Sequence, residues 1–294
     1  MDETARLFDA VKRTWPGMPD GPVHVMDGGQ HHALFVLGEE HPLVVRVARY
    51  PSATSKARLR REHDLLLRLE GRLPLPIPTP VHGVFADGVP AYFVYPRLLG
   101  DPLGGDVWAG LGQAVRAALA RGFGEFLVAL HASADAAGGV LSGEDPWASL
   151  YQDVRATVFA HLPRAVRDRV TRHFEEFLAG HREVIAALVH GDFGTTNLLW
   201  DPREGRAGGV LDFSQAALGD PAVDLAAFRT GFGEAALSES GYPVDPGTRR
   251  RMDFYGGTFA LQEAVFGARH GDREAFSAGV AGTIARFSCP EKRD

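Results

Sequence analysis

Cysteine is almost missing from this chain: Cys289 stands alone among 294 residues. One thiol excludes an intramolecular disulfide and a cysteine-ligated zinc centre, and no neighbour in sequence marks it as a nucleophile, so it reads as inert. Lysine is nearly as scarce, at positions 12, 56 and 292 only, so basic side chains are almost all arginine. No apolar stretch is long enough to span a bilayer, and none stands near the N-terminus behind basic residues; a cytosolic (cytoplasmic) protein without a membrane partner is expected. Positive charge is not in excess. With 31 Lys and Arg against 37 Asp and Glu, the net charge of −6 argues against nucleic acid as the main partner and is compatible with a cationic one. No G-x-G-x-x-G follows a strand, which leaves a dinucleotide-binding dehydrogenase unsupported. There is no internal repeat and no low-complexity tail. The chain does have 45% hydrophobic residues, enough for a full core divided between two lobes.

The order of patterns supports that division. A short helix is predicted over residues 4–14, followed by strands at 23–26, 34–37 and 43–48, with Asp27-Gly28-Gly29 and Gly38-Glu39-Glu40 as bends. A helix over 55–70 comes next. Leu73-Pro74-Leu75-Pro76-Ile77-Pro78-Thr79-Pro80 cannot lie inside a helix and reads as an extended connector. Strands at 81–85 and 91–95 complete a small mixed sheet. After Gly100-Asp101-Pro102 the pattern is mainly helical, with helices at 115–131 and 166–178. The expected fold is α+β, with a β-rich N-terminal lobe (1–98) that has one main helix and a larger helical lobe (99–294) that carries an inserted hairpin.

That hairpin region is the most informative part. Val189-His190-Gly191-Asp192-Phe193-Gly194-Thr195-Thr196-Asn197 is followed by Val210-Leu211-Asp212-Phe213. An apolar approach leads to one Asp, an Asn follows five residues on, and a second Asp stands behind another apolar run. This order suits metal-dependent phosphoryl transfer: the first Asp faces the attacking hydroxyl, while the Asn and second Asp hold Mg²⁺ on nucleotide phosphates. A plain hairpin with Asp and Asn at its turns is the bland alternative, and it leaves the polar cluster His190, Asp192, Asn197 and Asp212 unexplained.

The first lobe carries an independent pair. Alternation in 43–49 sets Arg46 on an apolar face with Val44 and Ala48, and Glu62 interrupts the helical stripe Leu59, Leu66, Leu69. A buried carboxylate needs a partner, and by topology Arg46 is the nearest. Such a strand-cation and helix-Glu pair positions phosphates in kinases. Two surface residues on edge elements are the alternative. Kinases place Lys on this strand; Arg is planar and bulkier but holds phosphate through two nitrogens.

With these residues in view, the chain resembles the aminoglycoside phosphotransferase family, antibiotic and small-metabolite kinases with a protein-kinase-like bilobal fold. The resemblance runs in order through the 27–32 turn, Arg46, Glu62, the 73–78 run, Tyr95-Pro96-Arg97-Leu98-Leu99-Gly100, 126–131, the 190–197 loop, Asp212-Phe213 and Gly219-Asp220-Pro221-Ala222-Val223-Asp224. The 73–78 run resembles the branch acting at the 2'' position of aminoglycosides. Gln30-His31-His32 and 257–264 resemble the branch acting on a basic tuberactinomycin peptide antibiotic. The resemblance implies Asp192 as the catalytic aspartate, and Asn197 and Asp212 as ligands of Mg²⁺, two ions. It implies ATP or GTP as donor, held by Arg46 tethered to Glu62, with Pro96 and Leu98 backbone on the purine and Tyr95 behind it. His190 and Asp224 would support the loop, although a satisfied buried histidine explains His190 equally. Ser214 replaces the glycine of the usual Asp-Phe-Gly.

The acceptor is expected to be a small, hydroxylated, cationic antibiotic. Carboxylates beyond the chemistry would meet its ammonium groups, and the candidates are Glu234, Glu239, Asp245, Asp253, Glu263, Asp272 and Glu274, with Glu263 favoured. The segment after Asp224 lacks the dense acidic cluster of the 2'' branch, which leaves room for a basic peptide, a macrolide-like compound or a metabolite such as homoserine, choline or methylthioribose. Residues 213–219 are too few to form an activation segment that docks a polypeptide, so a protein kinase ranks low. A non-catalytic nucleotide-binding scaffold would lack one of Asp192, Asn197 or Asp212, and all are present. A monomer is expected.

Overall fold

The computed structural model describes residues 3–26, 32–49, 52–138, 146–180 and 186–288. The expected turn through Asp27, Gly28, Gly29, Gln30 and His31, and also Cys289, lie outside the described residues.

Strand alternation builds the first part. Val23–Met26 (β1), His32–Leu37 (β2), Leu43–Ala48 (β3), His82–Val84 (β4) and Tyr92–Pro96 (β5) form a sheet in the order β1-β2-β3-β5-β4. All its pairings are antiparallel, so the mixed sheet expected from the strand pattern is corrected. The reason lies in the connection after β3. A helix returns the chain to the sheet edge as β4, and β5 then doubles back into the gap between β3 and β4, opposing both.

β3 is apolar on both faces because both are covered. Val45 and Val47, with Phe35, Tyr92 and Val94, pack beneath Leu7, Phe8 and Val11 of the helix Glu3–Thr14 (α1). On the opposite face Val44 and Ala48 join the main core with the helix Ala53–Leu69 (α2). Ser52 caps α2 by accepting the Ser55 N–H at 3.0 Å, and its buried stripe is Leu59, Glu62, Leu65, Leu66 and Leu69.

The rest is mostly helical: Gly105–Gly110 (α3), Gln113–His131 (α4), Pro146–Thr157 (α5), Arg164–Ala179 (α6), Ala222–Glu239 (α7), Pro246–His270 (α8) and Arg273–Ser288 (α9). α4 is the central beam, burying Leu119, Phe123, Phe126, Leu127 and Leu130. Short strands interrupt the helices: Asp101–Pro102 (β6), Ala187–Val189 (β7), Leu198–Asp201 (β8), Arg206–Val210 (β9) and Ala217–Gly219 (β10). β8 and β9 form the expected hairpin, with β6 on its edge. The Pro-rich connector bends over 73–75, has no regular structure over 76–80 and docks on that hairpin, the Pro76 carbonyl accepting the Val210 N–H at 3.0 Å.

Candidate active site

One strand pair creates the site. β7 and β10 are antiparallel, with Val189 opposite Ala217. The loop leaving β7 and the segment entering β10 therefore begin side by side, and the β8–β9 hairpin between them closes the circuit, with the Leu211 N–H donating to the Asn197 carbonyl at 2.8 Å. Asp192, Asn197 and Asp212 belong to this one closed circuit.

The loop is held by buried groups beneath it. Asp224, fully buried in the first turn of α7, accepts the His190 N–H at 2.7 Å, the Gly191 N–H at 2.8 Å and His131 Nε2 at 3.0 Å. Three donors compensate a carboxylate that would otherwise be costly to bury. His190 is fully buried as well: its Nδ1 accepts the Asp192 N–H at 3.3 Å, which leaves Nε2 to donate to the Leu211 carbonyl at 2.8 Å. Its ring thus ties the loop of Asp192 to the segment leading to Asp212, and both ring nitrogens are satisfied. Phe193 anchors the loop from below by stacking on Phe126 at 5.9 Å. Gly191 has φ 81°, and a Cβ there would stand 2.6 Å from the Gln215 carbonyl oxygen, so only glycine fits.

Asp192 itself is exposed. The Asn197 amide nitrogen donates at 2.9 Å to both the carbonyl and the carboxylate of Asp192. With its nitrogen committed inward, the amide's oxygen is the part of Asn197 left to face a ligand.

Asp212 has φ 57°, the only positive φ of a non-glycine residue among the described residues. That conformation costs on the order of 1–2 kcal/mol and is held by contacts: Arg46 Nη2 donates to its Oδ1 at 2.8 Å, and the Ser214 N–H to the same oxygen at 3.2 Å. Burial pushes its carboxyl up, but Arg46 and Ser214 outweigh that and hold it below the usual carboxylate value. Arg46 also lies 3.2 Å from Glu62 through Nε, although neither atom finds an aligned hydrogen bond, so this contact is an ion pair only. Burial lifts Glu62 to about 7, against the pull of Arg46 and with the help of Asp212. Arg46 itself is raised: burial works against its charge, but Glu62 and Asp212 together prevail. The pairing expected from sequence thus forms, and Arg46 additionally reaches Asp212 across the two parts of the fold. Tyr95 is buried beside this cluster, and burial raises its phenol.

At the other end of the cleft, Pro96 ends β5 and is exposed. The Arg97 N–H is taken by the Pro42 carbonyl at 2.8 Å, whereas the Leu98 N–H has no partner among the described residues. It stays available to a ligand.

The acceptor candidates divide. Glu234 pairs with Arg249 at 2.7 Å and Asp253 with Arg229 at 2.8 Å. Asp245 caps α8 and Asp272 caps α9, each accepting two backbone N–H groups. Glu263 is exposed on α8 and makes no hydrogen bond or ion pair among the described residues, and none joins it to the Asp192 loop. Asp220, two residues before the start of α7, accepts the Ala222 N–H at 3.0 Å and also holds α8 through Arg251 and Tyr255. His131 and its partner Tyr242, 2.8 Å away, were not singled out by sequence reasoning. A polar residue closing the apolar stripe of α4 was the only available signal.

The residues present suit Mg²⁺. Asn197 offers an amide oxygen and Asp212 its second carboxylate oxygen, both hard donors, with phosphate and water left to complete a six-oxygen shell. Among the described residues no three His, Cys, Asp or Glu side chains gather into a metal-holding cluster.

Comparison with known proteins places the chain in a family and a fold. Residues 22–243 match the phosphotransferase enzyme family. Viomycin phosphotransferase of Streptomyces vinaceus is 34% identical over 286 residues, which cover 93% of this chain and 96% of that protein. Among solved structures, the GDP complex of an aminoglycoside 2'-phosphotransferase has the same fold, with a TM-score of 0.84 at 22% identity over 98% of this chain and 99% of that one. A type I macrolide 2'-phosphotransferase aligns with a TM-score of 0.71 at 23% identity, over 95% and 96% of the two chains.

Proposed function

This chain belongs to the phosphotransferase enzyme family, and we propose that it transfers the γ-phosphoryl group of ATP or GTP to a hydroxyl of a small basic antibiotic. The observation that carries this reading is the junction of Asp192, Asn197 and Asp212 in one braced circuit, with Arg46 reaching Asp212 from the sheet.

In this reading Asp192, exposed at the mouth, accepts the acceptor hydroxyl's proton as its oxygen bonds to the γ-phosphorus. The bond from that phosphorus to the β,γ-bridging oxygen breaks, and the nucleoside diphosphate leaves. Asn197 keeps the Asp192 carboxylate turned toward the acceptor. Arg46 neutralises phosphate oxygens, its position fixed by Glu62 and Asp212. Pro96 and Leu98 frame the purine, the free Leu98 amide donating to it, with Tyr95 behind. Asn197 and Asp212 would hold Mg²⁺, which when bound supplies charge neutralisation on the phosphates. His190 and Asp224 are positioning residues. The nucleotide would lie between an N-terminal lobe (1–98) and a helical lobe (99–294).

The acceptor is assigned by likeness to viomycin phosphotransferase, which favours a basic peptide of the tuberactinomycin class. Glu234 and Asp253 are paired with arginines and Asp245 and Asp272 cap helices, and Glu263, unpaired among the described residues as Glu239 and Glu274 are, is the one proposed to meet an acceptor ammonium. The test is nucleoside diphosphate release with Mg²⁺ and either ATP or GTP. The acceptor panel holds viomycin, capreomycin, several aminoglycosides, a macrolide, choline and homoserine. Release stimulated by viomycin or capreomycin is expected. Stimulation by choline or homoserine alone would replace the antibiotic reading with a metabolite kinase, and no nucleotide binding would leave a scaffold.

A further inference from the structure

A cavity of about 390 Å³ lies between α2 and the segment that follows Asp212. One wall is α2 with its cap, through Ser52, Thr54, Arg58, Arg61 and Arg68; the other is the stretch 213–217. Arg46, Asp192, Asn197 and Asp212 do not line it, whereas Glu62, Phe213 and Ser214 do, so it adjoins the site described above without including its reacting groups.

Its charge is one-sided. Among the described residues three guanidinium groups and one carboxylate line it, and that carboxylate, Glu62, already belongs to Arg46. The other basic residues of α2 show what a compensated surface looks like: Lys56 pairs with Asp87, and Arg60 lies 3.8 Å from Asp64. Arg68 spends its Nε on the Ala136 carbonyl at 2.6 Å. Arg58 and Arg61 make no ion pair or hydrogen bond among the described residues. Three residues apart on the helix, they share a face and repel one another, so both gain from a shared counter-ion. The amino end of α2 adds its partial positive charge on the same wall, and the Ser52 and Thr54 hydroxyls add donors. Guanidinium forks and hydroxyls on one wall match a tetrahedral oxyanion in charge and hydrogen bonding.

We propose that this cavity is a binding site for a small oxyanion of the inorganic phosphate class, held chiefly by Arg58 and Arg61. An anion seated there touches α2, which carries Glu62, and the segment that begins at Asp212. It therefore joins the two walls from which the Arg46 cluster is assembled.

The test titrates the intact protein with inorganic phosphate at constant ionic strength, read by the thermal midpoint and by ³¹P line broadening. Wild type is expected to bind phosphate saturably, with the same affinity in the absence and presence of saturating Mg²⁺ and ADP or GDP. Arg58→Gln/Arg61→Gln binds it about tenfold or more weakly, and each single variant shows an intermediate loss. Arg60→Gln, on the same helix but outside the cavity, keeps wild-type affinity. The substituted side chains of α2 are exposed, and circular dichroism checks that each variant is folded. Displacement of phosphate by ADP or GDP, with retention in Arg58→Gln/Arg61→Gln, would place the anion among the nucleotide contacts and overturn the proposal. Equal weakening in Arg60→Gln would reduce it to general surface charge, and the absence of saturable binding in wild type would remove the site. These readouts use no acceptor and no turnover, so failure of the phosphotransfer reading leaves them intact.

Discussion

Asn197 directs Asp192: a single side-chain nitrogen donates at 2.9 Å to both the carbonyl and the carboxylate of that residue. On the proposed reading, removing the Asp192 carboxylate removes the proton acceptor without removing a nucleotide contact. Asp192→Ala should lower kcat by about 10²–10⁴ while nucleotide affinity, measured by calorimetry, stays near wild type. Turnover at the wild-type rate would sink the assignment.

Arg46 is shared between Glu62 and Asp212, so its removal acts on both. Arg46→Met should raise the nucleotide KM at least about tenfold, because a charge-assisted phosphate contact is lost. It should also destabilise the fold by about 3 kcal/mol, since a buried carboxylate loses its partner. In urea unfolding, Arg46→Met/Glu62→Leu should cost less than the sum of the two single substitutions; strict additivity would show that the pair is not coupled.

Asp224 touches no expected substrate, yet three donors converge on it. Asp224→Ala leaves the His190 and Gly191 amides and the His131 ring without an acceptor. A loss of about 3 kcal/mol or more in unfolding free energy is expected, together with a fall in kcat at temperatures where the variant is still folded. A stable variant with full activity would mean that the loop does not depend on this brace.

Gly191→Ala tests the geometry of the loop more narrowly. Its φ of 81° and the Gln215 carbonyl oxygen, 2.6 Å from where a Cβ would stand, both oppose a side chain. The variant should lose about 1–3 kcal/mol and should lose activity out of proportion to that, because the Asp192 loop must shift away from β10. Wild-type kinetics would contradict the close approach.

The acid limb of stability should report on Asp245. Hydrogen bonds from the Thr248 hydroxyl and the Thr248 and Gly247 amides lower its carboxyl to about 2. A folded value below the unfolded one, about 3.9, means stabilisation that is full above the unfolded value and lost as pH falls toward 2. The difference in thermal midpoint between wild type and Asp245→Ala should therefore be constant at neutral pH and shrink between about pH 5 and 2. A difference that grows on acidification would reverse the sign and refute the cap.

Much of this was legible in the sequence because it is local. β1 and β3 fall where alternation put them, and the helices begin about two residues before their predicted starts. The Arg46–Glu62 pair was readable because each residue interrupts an apolar pattern of its own element. The antiparallel order of the sheet was not readable, since local alternation is the same whichever neighbour a strand finds. His131 was equally hidden: it is 93 residues from Asp224, and nothing in helix periodicity names a partner at that distance.

The sequence by itself determined the kinds of side chain available to the chemistry and their order: an Asp, an Asn five residues later and a second Asp after a hairpin. It also determined that the strand cation is an arginine. Only the tertiary structure decided that these groups meet, because the β7–β10 pairing, the buried Asp224 and the crossing of Arg46 to Asp212 all depend on contacts between distant segments. Each such contact must outweigh the entropy of ordering the chain between its ends. The folded core decides that balance, and no local pattern records it.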